Sequence, residues 1–264
     1  MLSINRLGNL GRLANQMFQY ASIKGIASNR GYGFSIPPKD AFGAQDELVS
    51  QSDVTIYDVF ENVGNNIIGF QKNQTLWERM HHFDEELFVN CPDNVDLVGY
   101  FQTEKYFKHI EKQIRKDFTF KDEIKDECDD LIKQFTNPIA LHIRRGDFIW
   151  NNKNHPPLSL DYYKSALELF DSDREVIIFS DDTEWCKEQE LFADDRFAVA
   201  EGGDQFYDLC LMSMCDDFII ANSTFSWWGA WLGNRGKVVA PKQWFGEALD
   251  HDTKDLYCKG WKVL

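Results

Sequence analysis

Long apolar runs are missing from this chain of 264 residues. No stretch reaches the roughly 18 consecutive apolar residues that would mark a membrane span. The first residues lack a charged segment followed by an apolar one, so no standard secretory signal is expected. Peripheral association with a membrane stays open. Positive charge is also scarce: 28 Lys and Arg stand against 43 Asp and Glu, a formal net charge of −15. A field of that sign repels phosphate backbones, which excludes nucleic-acid binding as a main role. Cysteine pairing signals are absent too. The six cysteines, at 91, 128, 186, 210, 215 and 258, form no CxxC and no Cys/His cluster at zinc spacing. Reduced thiols in a cytoplasmic protein are the simplest expectation. No internal repeat, Walker lysine or GxGxxG loop occurs.

What is present argues for a folded α/β protein. Hydrophobic residues make up 43% and aromatics 14%, enough for a core of one large or two small domains. The first residues, 1–7, read as a strand. A turn with two glycines (8–16) and an apolar helical pattern over 17–27 follow, then a strand over 32–36. Residues 39–96 alternate short apolar pieces with acidic and amide-rich loops, and 84–88 read as an exposed acidic turn. A strand over 95–102 and helices over 103–118 and 121–135 lead to Asn137-Pro138, where a domain boundary is expected. The units are then 1–137 and 138–264.

The second half alternates regularly: strands over 139–143, 175–179, 197–200, 217–221 and 237–241, with helical patterns between them. This rhythm predicts a doubly wound parallel sheet. Its strand ends carry the polar groups: His142, Arg144, Arg145 and Asp147; then Ser180, Asp181 and Asp182; then Asn222, Ser223, Thr224 and Ser226. In a parallel sheet such ends converge on one edge. Two guanidinium forks suit an oxygen-rich dianion such as a diphosphate. The turn before the last helix offers hydroxyls and backbone amides to phosphate. The aspartates could accept from guanine or ribose. Each group also has a plain alternative. The arginines could be ion-pair partners, Asp181 or Asp182 a helix cap, Asn222-Ser223-Thr224 a capping turn, His142 a core histidine, and Trp227, Trp228 and Trp231 simple core.

Four stretches together resemble the α-1,2-fucosyltransferases, glycosyltransferase family 11. His142-Ile143-Arg144-Arg145-Gly146-Asp147 resembles the family's His-x-Arg-Arg-x-Asp motif. Residues 11–21, from Gly11 through Asn15-Gln16-Met17-Phe18, resemble its N-terminal block. Phe179-Ser180-Asp181-Asp182 resembles its third, and residues 208–232 its C-terminal signature. They occur in the family's order. One departure is Ala14, where the family usually has glycine beside the Asn-Gln pair; if that glycine holds positive φ, the turn here must differ.

The resemblance implies a GT-B architecture, two Rossmann-like domains with parallel doubly wound sheets facing a cleft. It implies an acceptor-side N-terminal half and a donor-side C-terminal half. The implied reaction moves L-fucose from GDP-β-L-fucose to the 2-hydroxyl of a β-galactoside in a surface glycan, with inversion, no resident cofactor and no metal. By carry-over, Arg144 grips the β-phosphate, while Arg145 and Asp147 contact the nucleotide or brace the loop. Ser223, Thr224 and Phe225, with Asn222 before them, line the diphosphate and base pocket. His142 and Asp181 or Asp182 approach guanine or ribose. Asn15 orients fucose or the attacking hydroxyl. Arg144, Asp147 and Asn15 are thus the catalytic candidates, and no side chain stands out as the base. Rival expectations are a GT-B transferase with another donor or linkage, and a non-catalytic nucleotide-sugar or glycan-binding module. A metal phosphohydrolase using the aspartates and His142 explains only the carboxylates.

Overall fold

The computed structural model describes residues 1–39, 54–63, 67–71 and 73–264. The loop reading of 40–53 therefore lies outside the described residues. The chain forms two compact α/β units. One comprises Met1–Lys121 with His251–Cys258, the other Asp122–Asp250 with Lys259–Leu264.

In the first unit, β1 (Leu2–Ser3) leads into α1 (Leu13–Arg30) and β2 (Phe34–Ile36). Then come α2 (Ile56–Val59), β3 (Ile67–Ile68), β4 (Gln74–Trp77), α3 (Glu85–Asn90), β5 (Val95–Val98) and α4 (Glu111–Asp117). The strands pair in parallel in the order β3-β2-β1-β5-β4. Helix α1 buries Leu13, Met17, Phe18, Tyr20, Ile23 and Ile26 completely. It ends where Gly31 enters the left-handed region at φ 70°, which only glycine adopts without strain. The sheet's switch point lies between β1 and β5, because the chain leaves β1 in one direction and returns on its other side.

The second unit runs α5 (Asp122–Ile132), β6 (Ile139–Ile143), α6 (Leu160–Leu167), β7 (Val176–Ser180), α7 (Thr183–Lys187) and β8 (Phe197–Val199). It continues with α8 (Gln205–Met214), β9 (Asp217–Ile219), α9 (Thr224–Gly233), β10 (Val238–Ala240) and β11 (Lys262–Val263). All six strands are parallel, in the order β11-β10-β9-β6-β7-β8. Counted from β6, this is the 3-2-1-4-5-6 order of a dinucleotide-binding sheet, with its switch point between β6 and β9. Residues alternate along β6. Ile139, Leu141 and Ile143 join Tyr163, Ile178 and Cys186 in one core cluster. His142 is left for the opposite face.

Four details differ from the sequence reading. Residues 84–88 are not an exposed turn: Asp84 is 1% exposed and caps α3 by accepting from the Leu87 amide, and Arg79 forks onto its carboxylate. The expected helix over 103–118 is broken into two 3-10 turns and α4. There α1 comes so close at Gly25 that any Cβ would strike the Tyr106 carbonyl. The strand over 238–240 is not the last, since β11 pairs beside it through Val239↔Lys262. The division of the chain falls at 121/122 rather than 137/138. Helix α5 packs on α8, with the Cys128 thiol 3.5 Å from the Tyr207 carbonyl. Residues 251–258 belong to the first unit, where Asp255 accepts from the Phe83 amide and pairs with Lys105.

Candidate active site

The C-terminal ends of β6, β7 and β9 gather the predicted polar groups of the second unit. Strand register sets His142 beside Phe179 and Ile143 beside Ser180, so the loops that follow start level with one another. Arg144 pairs with Asp147 through one terminal nitrogen and with Asp181, at 2.9 Å, through the other. Arg145 pairs with Asp182 at 3.0 Å and lies over the Trp185 ring, 3.9 Å from its centroid. Its backbone amide donates to Asp181 Oδ1 at 2.9 Å. Asp181 therefore holds the loop in two places. Gly146 is required beside it, because a Cβ there would run into the Asp181 carboxylate. Asp182 also caps α7, accepting from the Trp185 amide.

These pairs are not of equal weight. The Asp147 side chain is 54% exposed and water solvates it well, so its pair with Arg144 contributes no more than about 1 kcal/mol. Asp181, 25% exposed and held by a backbone amide, is costlier to detach. An arriving anion competes most easily with Asp147.

His142 lies on the other face of β6, 5% exposed, and shares a 2.9 Å hydrogen bond between Nδ1 and Ser226 Oγ. Its ring meets Phe225 at a centroid distance of 5.4 Å. Burial, helped by the charge of Arg144, pushes its imidazole down to about 3. His142 is thus a neutral hydrogen-bonding group, and the cationic work of the site falls on the arginines. Ser226 in turn accepts from the Ala221 amide at 3.2 Å, tying β6 to the start of α9. Ser223 caps α9 through the Phe225 amide. Other amides of this first turn have no intrahelical acceptor. Asn222 is 2% exposed and donates to the Pro156 and Trp244 carbonyls, a tether of two loops. Trp227, Trp228 and Trp231 are core: the first two are fully buried and cross edge to face at 5.0 Å.

Asn15 belongs to the first unit, in the first turn of α1. Gln102, just beyond β5, donates from Nε2 to its Oδ1 at 2.9 Å. The Ala14 departure is harmless to the backbone. Ala14 is helical, and the positive φ of this turn sits at Gly8 (91°) and Gly11 (82°). Beyond β4, Glu78 accepts from the Tyr100 and Phe101 amides at 2.7 and 2.9 Å. Burial outweighs those two bonds and pushes its carboxyl up to about 7.

The structure thus brings His142, Arg144, Arg145, Asp147, Asp181, Asp182 and the 222–225 turn to one edge of one unit, and Asn15 to the corresponding edge of the other. Sequence reasoning missed Gln102, Glu78 and Trp185 as partners. A polar residue just past a strand end was the available signal for the first two. For Trp185 it was an aromatic next to the Ser-Asp-Asp turn.

Two parallel doubly wound units, each with a switch edge, form a GT-B architecture, and the comparisons agree. The fold resembles POFUT1 solved in complex with GDP (TM-score 0.54, 12% identity, covering 89% of this chain and 94% of that one). The profile of the family described as glycosyl transferase family 11 matches residues 3–264. The chain belongs to glycosyl transferase family 11. Among its relatives, the alpha-1,2-colitosyltransferase of Escherichia coli is 33% identical, over 89% of this chain and 90% of that protein. The galactoside 2-alpha-L-fucosyltransferase SEC1 of Bos taurus is 24% identical over 86% of this chain, which spans 64% of that enzyme.

Proposed function

We propose that the protein transfers L-fucose from GDP-β-L-fucose to the 2-hydroxyl of a β-galactoside in a surface glycan, with inversion and without a metal. The observation that carries this reading is the Arg144 guanidinium at the β6/β9 switch edge, held between Asp147 and Asp181. When the donor binds, its diphosphate takes the place of Asp147 on Arg144. The retained pair with Asp181 keeps the guanidinium in position. As the glycosidic bond breaks, negative charge grows on the departing phosphate, where a preorganised guanidinium and helix amides stabilise it best. Ser223, Thr224 and Phe225 shape the diphosphate and base pocket, with Asn222 fixing the turn from behind. His142, neutral, and Asp181 and Asp182 set the shape of the nucleotide pocket. Arg145 braces it. Asn15 serves the sugar side.

A second reading has a specific observation behind it: the 33% identity to a colitosyltransferase. Colitose is L-fucose without its 3-hydroxyl, so the two donors share the GDP grip and differ at one polar contact. Among the described residues no helix is long and apolar enough to cross a membrane. We place the reaction in the cytoplasm, where the free cysteines stay reduced.

The test is an incubation with GDP-fucose or GDP-colitose and a panel of β-galactosides including lactose, with linkage determined by NMR. An α-1,2-fucosyl product formed in EDTA supports the proposal. Colitosyl transfer alone moves the donor assignment. Strict dependence on a divalent ion, or GDP binding with no transfer to any acceptor, sinks it.

A further inference from the structure

Beyond the groups that hold the donor, the first unit carries a pair of amides whose arrangement is chemically directional. We propose that Gln102 is a positioning residue for transfer: it fixes the Asn15 amide so that Asn15 offers its NH2, not its carbonyl, to a substrate oxygen. This rests on the transferase reading above and deepens it.

An asparagine side chain is ambidentate, with an acceptor and a donor separated only by rotation of the amide. Its buried partner decides which end is left for a ligand. Here Gln102 Nε2 donates to Asn15 Oδ1 at 2.9 Å, so the carbonyl is engaged. No described residue accepts from Asn15 Nδ2. Gln102 is 7% exposed, whereas Asn15 is half-buried at the start of α1. The outward group of the pair is therefore a hydrogen-bond donor. Gly11 has no side chain for the same reason, since a Cβ there would collide with the Asn15 amide.

The backbone that leads into Gln102 is pinned too. Glu78 accepts from the amides of Tyr100 and Phe101 with separate carboxylate oxygens. Gly99 is needed there, because a Cβ would strike the Glu78 side chain. Phe101 sits at φ 51°, uncommon for a bulky residue, and its carbonyl accepts from Ser22 Oγ at 3.1 Å and from the Thr103 amide at 2.9 Å. The turn so fixed delivers Gln102 to Asn15 at the β1/β5 switch point, the edge on which a parallel sheet meets its ligand. A neutral donor there suits a sugar hydroxyl or a phosphate oxygen and costs little to desolvate compared with a charge.

The decisive variant is Gln102→Glu. A carboxylate can only accept, so it forces Asn15 to turn its NH2 inward and present its carbonyl instead. Turnover should fall about 100-fold, as for loss of one transition-state donor. Protonation lets the introduced carboxyl group donate again, so the ratio of variant to wild-type turnover should rise on acidification from pH 8 to 6. Glu78, with Asp84, Tyr100 and Tyr106 around it, titrates in the same range, so the profile is repeated in a Glu78→Gln background, where relief by acid should persist. Wild-type turnover in the variant, or a loss that acid does not relieve, overturns the inference. Stabilisation by GDP, read in the same samples, reports the donor site separately. Its absence in the wild type speaks against the transferase reading alone. A second measurement needs no activity. In 15N-labelled wild-type protein, the Gln102 side-chain amide protons should exchange slowly and those of Asn15 rapidly. The reverse order overturns the proposal.

Discussion

The edge of the second unit at β6 and β9 is ionic, with two arginines interlaced among Asp147, Asp181 and Asp182. The edge of the first unit at β1 and β5 turns on a neutral pair, one primary amide orienting another, while Asp96 at the seam is taken up by the Ser3 hydroxyl and the Asn5 amide. Both occupy the same topological position, and the proposed function gives the difference a reason. A site for a diphosphate needs cations, and cations at a half-buried edge must be held in check until the ligand arrives. Carboxylates do this and brace the loop as well. A site for a hydroxyl needs direction more than charge, so its support goes into fixing which end of an amide faces out.

The largest effect expected on this contrast is from Arg144→Ala. It should abolish stabilisation by GDP in a thermal-shift assay and lower transfer roughly 100- to 1,000-fold. An unchanged GDP response would move the anion site off the β6/β9 edge. Gly146→Ala comes next. Its new methyl group displaces the Asp181 carboxylate, and urea denaturation should show a loss of about 1–3 kcal/mol. An unchanged midpoint would mean Asp181 is not the rigid brace that separates the ionic edge from the neutral one.

His142 gives a pH signature. Its imidazole is held near 3 in the fold against 6.5 unfolded. The unfolded chain therefore binds the proton first, and this contribution to stability is whole above pH 6.5 and declines as pH falls towards 3. The slope from this one group approaches about 1.4 kcal/mol per pH unit at most. His142→Gln should flatten that segment of the stability–pH curve, and an identical curve would place the acid sensitivity elsewhere. The smallest effect is expected from Asp147→Asn. Stability should change by less than about 1 kcal/mol, and GDP should bind as well as before or better. A turnover loss beyond tenfold with GDP binding intact would make Asp147 catalytic rather than the carboxylate that yields to the donor.

Much of this was legible in the sequence. The apolar run before His142 and the alternation of the second half identified β6, β7 and β9 and the edge they share, because a buried parallel strand needs a continuous apolar segment. The motif at 142–147 fell at a strand end, as read. Other parts were not legible for physical reasons. Asp84-Glu85-Glu86 looks like a solvated turn until Arg79 and Tyr106 close over Asp84. Residues 262–263 are too short to signal a strand and become one only because β10 offers an open edge. Helix α5 reads as the end of the first half, yet it packs on a helix some 80 residues later.

Composition, local periodicity and motif order determined the class of the chain: an acidic α/β protein of family 11, with two adjacent arginines after β6. The tertiary structure alone decided what each polar group does there. His142 meets Ser226 across 84 positions, and Asn15 meets Gln102 across 87. Local periodicity tells which residues are buried along one strand. Which strands become neighbours, and so which side chains share a hydrogen bond, depends on the order in which the whole sheet is wound.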